Sequence, residues 1–309
     1  MAVHIIADST CDITQAEAAR MGVQVLPLSI HFGDREYRDG VDLSTEKFYE
    51  LLTAGGELPT TSQVTPWQFQ EALAVMAEGD EAVIITVSGK LSGTLQSALI
   101  AAKSYGSRVQ VVDGLSAAIG TRVQVEYAVR LRAAGFDAAA IAAELLARRD
   151  QVVLLGVVDT LDYLKRGGRI SSTVAFAGGL LGIKPVLTAQ NGELVMLGKA
   201  RGLTQSNNLL NRTVEERGGI NFALPYAVGY TGTDDAVARS YLAQSAALWQ
   251  AQTAAVPVCR IGCGIGTHVG PGVVAVAFYT PADGGALAED SGLLIRGGRP
   301  PSAFLLSFS

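Results

Sequence analysis

Three short stretches of this 309-residue sequence carry side chains that could do chemistry. TTSQVTP (60–66) concentrates hydroxyls, SGKLSGTLQSA (88–98) holds Ser92, Gly93 and Thr94, and GTHVGPG (266–272) sets His268 among glycines and a proline. Hydroxyls donate and accept hydrogen bonds without carrying charge, and an imidazole donates when neutral or adds charge when protonated. Gly93 permits close backbone approach, and the helix expected after it offers free N–H groups and a positive dipole end, so an anion suits that loop. Thr61 and Ser62 lie too far before Pro66 to cap a helix starting there. They are open to a binding role or to ordinary turn bonding. His268 is one of three histidines. The glycines around it remove bulk and are expected to let a ligand reach the ring, whereas His4 and His31 read as structural residues.

Several familiar chemistries fail on spacing. A phosphate-cradling loop needs GxxxxGK followed by Ser or Thr, but Ile84 stands in the place of the first glycine and Leu91 follows Lys90. A nucleophile elbow needs GxSxG, whereas Ser92 sits in LSGT with one glycine in the frame. A Ser92/His268 acyl-ester hydrolase remains the alternative reading, and it lacks an identified acid to orient the histidine. The glycines of IGCGIGTH lead toward the strand VVAVAFYT rather than into a dinucleotide-binding helix. Cys259 and Cys263 form a lone CxxxC in a strand context and read as buried thiols rather than metal ligands. A nucleotide-binding regulator, the third reading, suffers from both failed phosphate patterns.

Basic residues are dense in DTLDYLKRGGRIS (159–171) and GKARG (198–202), which carry Lys165, Arg166, Arg169, Lys199 and Arg201. They read as a solvated face or as a docking surface for an anionic partner.

The elements that must position these groups alternate in type. HIIAD, VQVLPLSI, AVIITV and VQVVD are apolar, β-branched runs separated by helical patterns such as PWQFQEALAVMA, which predicts βαβ units and a parallel sheet. Thr65 before Pro66 and Asp137 before AAAIAAELLARR mark helix starts. After VVLLGVV (152–158) the pattern changes. Asn191-Gly192 between two extended stretches predicts a hairpin, followed by the strands YAVGYTG, VPVCRIG and VVAVAFYT and a helix from about Asp234. The reading is an α/β fold of two domains: a parallel-sheet domain over 1–150, a mixed α/β domain over 151–280, and a glycine- and proline-rich tail over 281–309.

Hydrophobic residues make up 49% of the chain, enough for a sizeable core, and the formal net charge of −5 argues against nucleic acid as a partner. STVAFAGGLLGIKPVL is interrupted by Lys184 and Pro185 well short of the ~20 apolar residues of a membrane span. The amino terminus lacks a secretory pattern, and three cysteines, Cys11, Cys259 and Cys263, suit a reducing compartment, so a cytoplasmic protein with free thiols is expected.

In order along residues 3–280, ADST, TTSQ, SGKLSGTLQSA, VVDGLSAAIG, DTLDYLKRGGRIS, IKPVL, KARG and GIGTHVGPG resemble the DegV family of bacterial fatty-acid-binding proteins. Val64 replaces a proline common in that family, and the tail from about 281 departs from its pattern. The resemblance implies a two-domain DegV-like α/β fold that binds one long-chain fatty acid, with the carboxylate held by Thr61, Ser62, Ser92, Gly93, Thr94 and His268. It further implies a non-catalytic subunit of a fatty acid kinase in phospholipid metabolism, with no cofactor or metal of its own: ATP and magnesium belong to a separate catalytic subunit. Arg169, Lys199 and Arg201 would dock that partner, with transient contact to a membrane surface. Burying about 14 methylenes at ~0.8 kcal/mol each would supply roughly 11 kcal/mol of gross driving force, so the tail would dominate affinity.

Overall fold

A computed structural model describes residues 2–170, 182–249 and 255–281. The tail from 282 onward, the whole STVAFAGGLL stretch (172–181) and Ser171 lie outside the described residues. Among the described residues, thirteen strands form three sheets. The first is wholly parallel, in the order β2-β1-β6-β7, from β1 (Val3–Asp8), β2 (Val23–Leu26), β6 (Glu81–Thr86) and β7 (Val109–Asp113). A small antiparallel sheet is made of β3 (Ser29–Phe32), flanked by β4 (Arg35–Arg38) and β5 (Thr60–Ser62). The third has the order β10-β9-β8-β13-β11-β12, from β8 (Val152–Val157), β9 (Ile183–Gln190), β10 (Glu193–Arg201), β11 (Ala227–Tyr230), β12 (Val258–Arg260) and β13 (Val274–Tyr279). Only its β11–β12 pair is parallel.

Side-chain alternation explains the layering. Along β1 and β6, Ile5, Val83 and Ile85 point to one core, and Ile6 and Ile84 to another, which is covered by the helices Pro66–Ala74 and Thr94–Ala102. Along β8, Leu154 shares the first core, while Val153, Leu155 and Val157 face the helices Gly202–Glu216 and Ala236–Gln244. The helix Ile119–Ala133 packs between the two large sheets, and one apolar cluster therefore runs from Ile5 through Val123 to Ala275. Its entry is strained: Ala118, just before it, has φ 52° and ψ −141°, where a Cβ is disfavoured.

Local signals form as their chemistry dictates. Thr65 caps the helix Pro66–Ala74 in a reciprocal box with Gln68, and Asp137 caps Ala138–Arg148. Asn191 and Gly192, at φ 51° and 81°, make the turn between β9 and β10. The Ser88 hydroxyl donates to the Gly192 carbonyl at 2.7 Å and so ties that hairpin tip to the loop carrying Ser92.

Two expectations need correction. VQVLPLSI is not one strand: Pro27 interrupts it, and the chain leaves the parallel sheet after Leu26 to start the small sheet at Ser29. IGCGIGTH is not a loop running into a strand either, because Cys263–Val269 forms a short helix. Cys263 thus opens a helix while Cys259 lies on β12, and Cys11, Cys259 and Cys263 are all buried free thiols.

Among the described residues no helix is long and apolar enough to cross a membrane.

Candidate functional site

The two large sheets and the helix between them do not fill the space they enclose. A cavity of about 370 Å³ remains, walled by Leu28 and Val87 on the side of the parallel sheet and by Leu154, Leu187 and Ala275 on the other. Two hydroxyls on its wall are already engaged: Thr188 donates to the Leu154 carbonyl at 2.8 Å, and Thr10 donates to Asp8. The remaining polar side chains on its wall are Thr61, Ser62, Gln63, Ser92, Arg169 and His268.

These groups line one cavity and are held by separate hydrogen bonds. Thr61 Oγ1 lies 2.9 Å from His268 Nε2, across 207 residues of sequence. Arg169 donates through Nε to the Leu91 carbonyl at 3.1 Å, beside Ser92. Ser92 Oγ is 3.0 Å from Thr94 Oγ1 and accepts from the Thr94 amide. Thr94 itself is buried, takes the Val64 amide at 3.4 Å and positions Ser92 rather than bordering the cavity. Ser62 borders the cavity, but its hydroxyl pairs with His31 at 2.9 Å and not with His268. His4, by contrast, sits remote from these groups, paired with Asp80.

Gly93 does permit a close approach, but the group that uses it is the Gln63 side chain, which would collide with any Cβ there. Gln63 Nε2 donates to the Gly93 carbonyl and to Ser97 Oγ, locking the TTSQ strand to the SGT loop.

The histidine segment is held the same way, and its glycines do not serve the ligand space expected of them. A Cβ at Gly266 would stand 2.6 Å from the Tyr49 hydroxyl and 2.7 Å from Phe48, and one at Gly270 would strike the Tyr163 ring. The bare backbone lets these aromatics close over the helix. The glycine that makes room for the imidazole is Gly167, in the KRGGR stretch. The helix start is capped from far away: Asp39 accepts from the Cys263 and Gly264 amides at 3.2 and 3.1 Å, and Asp12 accepts from Gly262 at 2.8 Å. Burial raises the pKa of both carboxyls above the ordinary aspartate range, that of Asp12 strongly.

Burial, and secondarily the nearby Arg169 charge, lowers the His268 pKa to about 4 from 6.5. The ring is therefore neutral at physiological pH. Below pH 6.5 the unfolded chain takes up a proton that the folded ligand-free chain refuses until about pH 4, so stability must fall with pH across that window. The expected loss from this residue is at most roughly 3 kcal/mol. Urea denaturation of delipidated protein at pH 7 and 4.5 should show a smaller acid loss in His268→Gln than in wild type; identical losses would remove the neutral imidazole from the account.

Hydrolase geometry is not met. Ser92 pairs with Thr94 and not with His268, and His268 Nδ1 is buried without any partner, so no acid orients the ring among the described residues. Nor does any group of three or more His, Cys, Asp or Glu among the described residues suit a metal ion.

The basic residues separate by location. Arg169 is half-buried on the cavity wall, whereas Lys199 and Arg201 are exposed on β10. Sequence reasoning missed the inward turn of Arg169, the clamp of Gln63, and the caps from Asp12 and Asp39, for which no local pattern exists. What the site can accommodate is an amphiphile with an apolar body and a head able to accept hydrogen bonds from neutral groups.

Residues 2–281 match the family described as "Uncharacterised protein, DegV family". A DegV domain-containing protein of Deinococcus radiodurans is 37% identical over 283 residues, covering 90% of this chain and 98% of the relative. One from Caldanaerobacter subterraneus is 34% identical over 89% of this chain and 98% of its own length. A solved structure described as "Fatty Acid Binding of a DegV family Protein from Thermus thermophilus" superposes with a TM-score of 0.80 at 32% identity, covering 91% of this chain and all of that one. A Thermotoga maritima structure, said to reveal fatty acid binding function, gives 0.78 at 26% identity over 91% of this chain and 100% of that one. The chain belongs to the DegV family.

Proposed function

We propose that this protein is a carrier for one long-chain fatty acid, whose tail fills the apolar cavity and whose carboxylate meets Thr61, Ser92 and His268. The observation that carries this reading is an apolar cavity whose available polar groups are mainly uncharged donors clustered around the Thr61–His268 hydrogen bond. The fatty-acid-binding relatives support it. A carboxylate leaving water must be hydrogen-bonded, and hydroxyls and a neutral imidazole do this without neutralising its oxygens.

The head group therefore stays nucleophilic. A separate kinase holding ATP and magnesium would use it: a carboxylate oxygen attacks the γ-phosphorus, the bond to ADP breaks with its electron pair leaving on ADP, and an acyl phosphate results. Exposed Lys199 and Arg201 suit the docking of such a partner. The carrier would act in the cytoplasm and touch a membrane only in passing.

Native mass spectrometry of gently purified protein is expected to show an acyl ligand, and persistent absence after lipid supplementation would sink the reading. Replacing Ser92 and His268 together by alanine should cut acyl phosphate formation by at least about tenfold while tail-driven uptake declines less. Unchanged product formation would reject the head-group assignment.

A further inference from the structure

A second cavity, of about 320 Å³, opens beside Gly262, and no residue borders both it and the apolar cavity. Its wall carries four carboxyl groups, of Asp12, Glu17, Asp39 and Glu46, against two guanidinium groups, of Arg122 and Arg260. Both guanidiniums are already engaged. Arg122 pairs with Glu17 at 2.6 Å and with Glu126 at 2.8 Å, and Arg260 pairs with Glu46. Asp12 and Asp39 instead accept from backbone amides and from the Ser9 hydroxyl, and no cationic side chain bonds either carboxyl among the described residues.

The geometry around Gly262 singles out one spot on that wall. Its backbone, at φ −73° and ψ −177°, is open to any residue, so conformation does not require glycine there. What glycine supplies is room. Apart from its chain neighbours, a Cβ would have as its nearest atoms Asp12 Oδ1 at 3.4 Å and the two Asp39 oxygens at 3.7 and 3.9 Å. Three carboxyl oxygens thus converge on one unfilled point. Asp12 is only 5% exposed, and its Oδ2 is shielded from solvent without any hydrogen-bond partner. Burial raises the pKa of both carboxyls, and a cation seated between them offsets the cost of their charge.

No group of three or more His, Cys, Asp or Glu among the described residues suits a metal ion. An ammonium group does suit the spot, being compact and carrying three donors that need acceptors in no fixed geometry. Ile13, Val25 and Val258 on the same wall offer apolar surface for a short carbon chain. We propose that this cavity binds a small aliphatic primary amine, with its ammonium between Asp12 and Asp39. The site does not rest on the carrier reading and stands or falls separately from it.

The probe is 1,4-diaminobutane, titrated by calorimetry beside 1,4-butanediol, which has the same carbon chain and no charge. The diamine is expected to bind and the diol is not. Asp12→Asn keeps an acceptor for the Gly262 amide and should weaken the diamine on the order of tenfold, the effect of one lost charged contact. Gly262→Ala places a methyl group at the convergence point, at ordinary contact distances, and should weaken it at least as much. Asp42→Asn removes the same charge from an exposed side chain off the cavity wall and should leave the diamine within about twofold. Thermal melting identifies any variant that fails to fold, and the other then carries the test. A wild type that ignores the diamine or takes the diol equally well would overturn the assignment. So would equal losses in Asp12→Asn and Asp42→Asn, or a diamine indifferent to Gly262→Ala.

Discussion

Leucine in place of Gly156 is expected to expel long-chain fatty acids while making the ligand-free fold more stable. Gly156 sits inside β8, with Leu187 and Ala275 as its cross-strand partners, and it borders the apolar cavity. By alternation it shares the face of Leu154 and Val158, not that of Leu155 and Val157. A Cβ there would meet nothing closer than 3.8 Å, ordinary van der Waals contact, so the protein itself accepts a side chain. Its remaining atoms can only enter the cavity. Four added carbons displace about four ligand methylenes at ~0.8 kcal/mol each, so palmitate should lose roughly 3 kcal/mol, on the order of 200-fold in affinity. A twelve-carbon acid should suffer less. Glycine is also a poor residue for a strand interior, and relieving it contributes about 0.5–1 kcal/mol to the delipidated protein before any gain from filling the void. Calorimetry with the two acids and urea midpoints of the stripped protein check both signs. Palmitate bound as tightly as by wild type would show that the tail lies elsewhere.

Asp39→Ala should cost roughly 3 kcal/mol of stability and loosen the head-group site with it. The buried carboxylate accepts from Ser9 Oγ and from two amides at the start of the helix bearing His268. Alanine leaves those buried donors unsatisfied, at about 1–3 kcal/mol each, partly offset by removal of a charge that burial disfavours. Asparagine keeps an acceptor and should cost less. The pH dependence has a definite sign. Because burial raises the Asp39 pKa above 3.8, the folded chain holds more protons than the unfolded one just above that value, and the wild type's advantage from this residue declines as pH rises through the raised pKa. The deficit of Asp39→Asn should therefore be larger near pH 4 than near pH 7.5, as read from urea curves at the two values. A deficit that grows with pH would mean the carboxylate is stabilised rather than strained by its surroundings.

Much of the fold was legible because its causes are local. The Asn191-Gly192 turn, the Thr65–Pro66 helix start and the Asp137 cap each depend on a few adjacent residues, and each formed as expected. The strands of the parallel sheet were visible as continuous apolar runs because both of their faces are covered. VQVLPLSI misled because both halves are β-forming and composition does not say that a proline will send them to different sheets. GCGIGTHV misled because glycine opposes helix formation by about 1 kcal/mol per residue, a preference countered by the packing of Phe48, Tyr49 and Tyr163 against that bare backbone and by the caps from Asp12 and Asp39.

By itself the sequence determined an α/β chain with its hydroxyl loops, its single histidine among glycines and its order of family motifs. Residue types and near-neighbour spacing suffice for these. Only the tertiary structure decided that Thr61 rather than Ser62 meets His268, that Thr94 and Gln63 brace the site, and that Arg169 turns inward. Those outcomes depend on contacts between distant parts of the chain, which reach 250 residues between Asp12 and Gly262. At such separations side-chain direction is set by the packing of whole layers, which no local pattern encodes.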